Sequence, residues 1–103
     1  VTLARQVAEY VSTQPHLELV MQPQLASVLF RFRPQSDDSG FIALLNQRIG
    51  DVLLASGAAN VGVTEADGVT CLKLTLLNPT VCLQDVKVLL NSVKETAEAL
   101  LKA

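Results

Sequence analysis

The sequence predicts an α+β fold: a small antiparallel sheet of three to four strands, with three helices packed mainly on one face. Three observations predict it. Stretches with an apolar residue at every second position alternate with stretches in which apolar residues recur every three to four positions. The order is helix, strand, strand, helix, strand, strand, helix. An Asp-Gly pair, Asp67-Gly68, sits between two of the strand-like stretches, where it favours a tight hairpin turn and so antiparallel pairing.

Taken in order, Leu3, Val7, Tyr10 and Val11 lie at helical spacing, so Thr2 to Gln14 is predicted as a helix ended by Pro15, because a proline pushes the residue before it into extended geometry. Leu17 to Met21 reads as a short strand stopped by Pro23. Ala26 to Arg33 reads as a longer one stopped by Pro34, with Val28, Phe30 and Phe32 on one face and Ser27, Leu29, Arg31 and Arg33 on the other. The polar run 35–40 supplies Asp38 or Ser39 as a helix cap. Phe41, Leu44, Leu45, Ile49, Val52 and Leu53 then mark a second helix, which Gly57 stops. Asn60 to Thr64 and Val69 to Leu76 are the hairpin strands, joined through residues 65–68. Leu83, Val86, Leu89, Leu90, Val93, Ala97, Leu100 and Leu101 draw the stripe of a long final helix.

The 103 residues are read as a single domain, 1–103, since half of them are apolar and 17% charged, enough to close one core. A net charge of −2, with Lys and Arg scattered, gives no electrostatic footprint for nucleic acid or an anionic membrane. No apolar run approaches the roughly 20 residues that span a bilayer. Two cysteines, Cys71 and Cys82, are too few for a secreted disulfide framework, and a reducing cytoplasm is the expected compartment. The chain opens at Val1 directly on an amphipathic pattern, as expected of a piece of a longer polypeptide.

Few residues point to chemistry. His16, after Pro15 in a turn, has no cysteine or second histidine at ligand spacing and reads as an ordinary surface histidine; no metal site is expected. Residues 57–62, "GAANVG", precede a strand instead of opening a helix, so they read as a helix stop and not as a phosphate loop. Asp37-Asp38 reads as capping and not as a catalytic pair. With no arrangement of nucleophile, base and orienting group, an independent enzyme is a poor reading.

Lys73 stands apart, because strand alternation puts Leu72, Leu74 and Leu76 on the helix-covered face and Lys73 on the other, with Val69, Cys71 and Thr75. That second face also carries Leu29, Arg31 and Arg33. It is too apolar for a fully solvated surface, so it is expected to be covered by something else. Lys73 either snorkels to water or clamps an anion at an interface.

The stretch from Cys71 to Pro79, "CLKLTLLNP", with Asp85 and Val86 after it, resembles the C-terminal small domain of the pyridoxal-phosphate-dependent group II decarboxylases. Further matching pieces are Gln24-Leu25 leading into "VLFRFRP", then "LLNQRIGDVLLASG" and "VTEADGVTCLKL", in the family's order and over nearly the whole chain. The 2,4-diaminobutyrate branch looks most similar; glutamate and aromatic-amino-acid decarboxylases are other members. The resemblance implies the C-terminal fold of the fold-type I pyridoxal-phosphate enzymes, and a missing large domain of the same chain as partner. It also implies a full-length homodimer acting on an amino-acid substrate by loss of carbon dioxide into the cofactor's electron sink. The family's cofactor-anchoring lysine follows a histidine, and no lysine here does. The resemblance therefore implies pyridoxal phosphate in the full-length enzyme, none bound by this fragment, no catalytic residue in it and no activity from it alone. In the glutamate branch an arginine at the position of Lys73 binds the substrate carboxylate, which makes Lys73 the candidate substrate contact, by a point charge in place of a two-pronged guanidinium. The reading that competes with this is a free-standing regulatory or dimerisation module that binds through the open sheet face.

Overall fold

Asp67 and Gly68 both adopt positive φ, +51° and +77°, and turn the chain back on itself in two residues. That turn is what joins β3 (Val61–Ala66) to β4 (Val69–Thr75) in an antiparallel hairpin, Ala66 opposite Val69 and Val61 opposite Leu74. It is tighter than the four-residue connection expected, because β3 keeps its pairing to Ala66.

The computed structural model describes residues 2–23, 26–57, 60–77 and 80–102. Within them the order is α1 (Leu3–Thr13), β1 (Leu17–Leu19), β2 (Ser27–Phe32), α2 (Ser39–Ala55), β3, β4 and α3 (Leu83–Lys102), the predicted succession. The four strands form one sheet in the order β1-β2-β4-β3, antiparallel throughout. β1 is shorter than the predicted Leu17 to Met21, pairing with β2 only from Leu17 opposite Phe32 to Leu19 opposite Phe30. Asn78-Pro79 and Gln24-Leu25, singled out in the sequence, lie outside the described residues.

The helix ends follow local chemistry. Thr2 caps α1 by accepting the Arg5 N–H, and Asp38 caps α2 by accepting the Phe41 N–H at 3.1 Å. Gly57, at φ +94°, follows α2 in the left-handed region. At the start of α3 the acid that completes a cap is Asp85, whose Oδ2 accepts both the Cys82 N–H at 3.1 Å and its thiol at 3.3 Å. The acidic half of a capping box is thus present, although a cysteine stands where Ser or Thr is usual.

All three helices contribute to one core on one face of the sheet. Val28, Phe30 and Phe32 from β2, Leu72 and Leu74 from β4 and Val61 from β3 meet Val7 and Val11 of α1, Leu45, Ile49 and Leu53 of α2, and Val86, Leu90, Val93 and Ala97 of α3. Each fully buried side chain of this size contributes roughly 1.5–3 kcal/mol. Gly50 lets α2 approach β3, for a β-carbon there would stand 2.2 Å from Val63 Cγ2.

Where β2 and β4 part, a side chain takes over from a strand. Leu29 accepts from Val20 N–H and Arg33 N–H donates to His16, so the odd-numbered residues of β2 bond toward β1 and the even-numbered ones toward β4. Pairing of β2 with β4 stops at Phe30 opposite Leu72, while β4 runs on with β3 to Val69. The fully buried Asn46 of α2 fills the fork. Its Oδ1 accepts the Phe32 N–H at 2.8 Å, and its Nδ2 donates to Phe32 O and Ile42 O, both at 2.9 Å. Among the described residues no helix is long and apolar enough to cross a membrane.

Candidate functional site: the open face of the sheet

The helices lie on one side, so the residues of opposite parity form a face that, among the described residues, no helix covers. Register places Glu18 opposite Arg31, Leu29 opposite Lys73, Gly62 opposite Lys73 and Thr64 opposite Cys71. The expected assembly of Leu29, Arg31, Cys71 and Lys73 on one surface is therefore present, with Glu18 added to it.

Charge on this face is divided unequally. Glu18 accepts from Arg31 Nε at 2.5 Å and from Arg33 Nη1 at 3.2 Å, and Arg33 also lies 3.9 Å from Asp37. Arg31 is only 16% exposed in its side chain. Its guanidinium is held by Glu18. Cys71 is fully buried although it sits on the open face, a departure from the exposed apolar patch expected there. Burial pushes its thiol above the ordinary 9.0, and the Arg31 guanidinium opposes that shift.

Lys73 is exposed, and among the described residues no acid or other acceptor is within bonding reach of its ammonium. It is flanked by Leu29 on β2 and by Gly62 on β3, which offers no side chain at all. Two cations of the face share one carboxylate, and the third stands uncompensated between an apolar neighbour and a bare backbone. This arrangement can attract a carboxylate from outside the chain.

Of the other candidates, His16 and Cys82 stay apart from this face. His16 is exposed at φ +67° in the turn between α1 and β1, stacked on Phe32 with ring centres 5.7 Å apart, its Nδ1 3.2 Å from Arg33 O. Cys82 is exposed at the start of α3 and Cys71 is buried in β4. Among the described residues no group of His, Cys, Asp and Glu side chains is placed to hold a metal ion. Glu18 and Gly62 were missed by sequence reasoning. Alternation could have put Glu18 on the open face, but its pairing with Arg31, and Gly62 with Lys73, depend on register.

No family model matches the chain. Comparison with individual proteins is more informative. The chain is 47% identical over 98 residues to the L-2,4-diaminobutyrate decarboxylase of Acinetobacter baumannii, a match that takes in 95% of this chain and 19% of that protein. A crystal structure of the glutamate decarboxylase domain of diaminobutyrate-pyruvate transaminase and L-2,4-diaminobutyrate decarboxylase from Vibrio parahaemolyticus superposes with a TM-score of 0.84 at 33% identity, over 93% of this chain and 20% of that one. Oryza sativa TDC, crystallised with PLP and tryptamine, shares the fold at a TM-score of 0.81 and 20% identity, over 95% of this chain and 21% of that one.

The chain is thus similar, in sequence and in fold, to a part of the group II amino-acid decarboxylases, as its motifs indicated. Within that group its sequence is similar to L-2,4-diaminobutyrate decarboxylase, of which it spans about a fifth.

Proposed function

We propose that this chain serves as the C-terminal small domain of a pyridoxal-phosphate-dependent decarboxylase of the L-2,4-diaminobutyrate type, and that its open sheet face closes one wall of the active-site cleft. The uncompensated Lys73 on a surface that this chain leaves uncovered is the observation that carries the reading. Lys73 is exposed in this chain, and a neighbour that covered it without an anion would desolvate the ammonium at a cost, so the arrangement is best satisfied when a carboxylate arrives with the covering neighbour. The partner is the large domain of the same polypeptide, whose extent is implied by the 19% span of this chain on its relative. The complete enzyme is read as a cytoplasmic homodimer, and two free thiols suit a reducing compartment.

Within the cleft Lys73 orients the substrate by holding a carboxylate oxygen as a point charge, while the Arg31–Glu18–Arg33 cluster, already internally paired, does not compete for it. Leu29 beside it excludes water and so strengthens the attraction. On this reading the cofactor is held outside this chain, in keeping with a sequence in which no lysine follows a histidine and with His16 stacked on Phe32. Pyridoxal phosphate, held elsewhere in the enzyme, supplies the electron sink for loss of carbon dioxide.

In the decarboxylase that carries this domain, Lys73→Ala should raise KM for L-2,4-diaminobutyrate by about tenfold, the worth of one charge-assisted contact, and Lys73→Arg should recover part of it. Unchanged kinetics in the alanine variant return Lys73 to a solvated surface lysine. The chain alone should give no imine absorbance band with pyridoxal phosphate; a band abolished by Lys73→Ala refutes the division of labour.

A further inference from the structure

On the outer side of α2 and α3, away from the sheet, Phe41, Leu44, Val52 and Leu101 are 42%, 55%, 43% and 41% exposed. They are not scattered. Phe41, Leu44 and Leu101 line one hollow between the two helices together with Arg48, Val52 lines the next together with Glu95, and Leu100 borders both. A single exposed apolar side chain needs no account, but several gathered into a groove with a polar border mark a contact surface. Arg48 and Glu95 are the charged residues that line this groove, and neither belongs to an ion pair among the described residues. The groove thus holds one unpaired cation, on α2, and one unpaired anion, on α3. A neighbour that covers the open sheet face does not reach it, since the sheet and the core lie between them.

We propose that this groove is a two-fold contact between copies of the chain. A two-fold axis lays α2 of each copy against α3 of the other, so each residue pair across the contact occurs twice. Arg48 of either copy then meets Glu95 of the other, and the apolar side chains of the two grooves cover one another. A second copy is the occupant because the groove carries both members of the charge pair in one chain, one on each helix, and so complements itself. The contact does not depend on the part played by Lys73. In a decarboxylase whose subunits already pair through other surfaces, it joins one pair to the next.

The test is sedimentation of the decarboxylase that carries this domain, and of the 103-residue chain, over a range of concentrations at low salt, where surface charges are least screened. Arg48→Glu and Glu95→Arg should each raise the dissociation constant of the contact by about tenfold or more, since either reversal sets two like-charged pairs against each other. Mixed in equal amounts, the two variants should associate with each other as the unaltered protein does with itself, because every pair across the axis is again of opposite sign. Leu44→Asp should abolish the contact and leave the melting temperature within a degree or so, as expected of a substitution at the surface. The proposal fails if the unaltered protein shows no association through this face, or if the mixture associates no better than either variant alone. Association of the 103-residue chain but not of the whole enzyme gives the groove to the rest of the polypeptide and overturns it. A melting temperature lowered by several degrees in all three variants makes these residues a requirement of the fold and overturns it as well.

Discussion

Replacing Asn46 by alanine should destabilise the domain by about 2–6 kcal/mol, because the change strips two backbone groups of their partners in a place water does not reach. The figure follows from the fork between β2 and β4. Asn46 is wholly buried and serves Phe32 N–H at 2.8 Å and Phe32 O at 2.9 Å, both of which face the side from which β4 has departed. Each orphaned buried group costs about 1–3 kcal/mol. The third contact, to Ile42 O at 2.9 Å, adds little, since that carbonyl also lies within the α-helical ladder. For a domain of this size a loss of about 3 kcal/mol lowers the melting temperature by about 12–24 °C. Urea unfolding followed by circular dichroism measures it, and the slope with denaturant should stay fixed so that the midpoint alone reports stability. Asn46→Asp discriminates further: a carboxylate can still accept from Phe32 N–H but confronts two carbonyl oxygens, so it should be worse than alanine. A midpoint for Asn46→Ala that corresponds to less than about 0.5 kcal/mol, within the range of surface substitutions, would show that the fork closes without the side chain.

Gly50→Ala should cost about 1–2 kcal/mol despite the better helix propensity of alanine, because the new β-carbon meets the stiff Val63 side chain, and Gly50→Ala with Val63→Ala should recover part of the loss in the same urea assay. Lys73→Ala should leave the midpoint of the chain alone within about 0.5 kcal/mol, since the exposed ammonium has no partner among the described residues. A thiol reagent should titrate Cys82 alone in the folded chain and both cysteines in denaturant, as one is exposed and the other buried. The pH dependence has a definite sign: burial raises the Cys71 thiol above 9.0, so the unfolded chain gives up that proton first and stability is lost as pH rises past 9.0; Cys71→Val should flatten this alkaline slope, read from urea midpoints across that range.

Much of the fold was legible because its signals are local. Alternation in "VLFRF", helical spacing from Phe41 to Leu53 and the Asp-Gly turn each act through neighbours a few residues away, and each element formed where its pattern lay. The helix cap at Asp38 and the stop at Gly57 belong to the same class. What stayed hidden depends on strands meeting. Asn46 reads as a polar interruption of the α2 stripe until β2 and β4 are seen to diverge beside it. Cys71, on the open face by alternation, is fully buried in the folded chain, which alternation alone does not give.

The same reasoning governs the open face. Sequence placed Arg31, Arg33 and Lys73 on one face and set Lys73 apart by its place in mid-strand, without showing which of the cations are paired. Register supplies that, since β1 delivers Glu18 to the arginines at 2.5 and 3.2 Å and brings no acid to Lys73. Two guanidiniums with a shared carboxylate are satisfied within the chain; an ammonium between Leu29 and a bare glycine is not. Solvation alone serves a lysine on an open surface, but its cross-strand neighbours Leu29 and Gly62 offer no hydrogen-bonding side chain, and a body that packs against Leu29 would also draw water from Lys73. A surface that covers Lys73 is therefore best matched when it brings a negative charge to this one point.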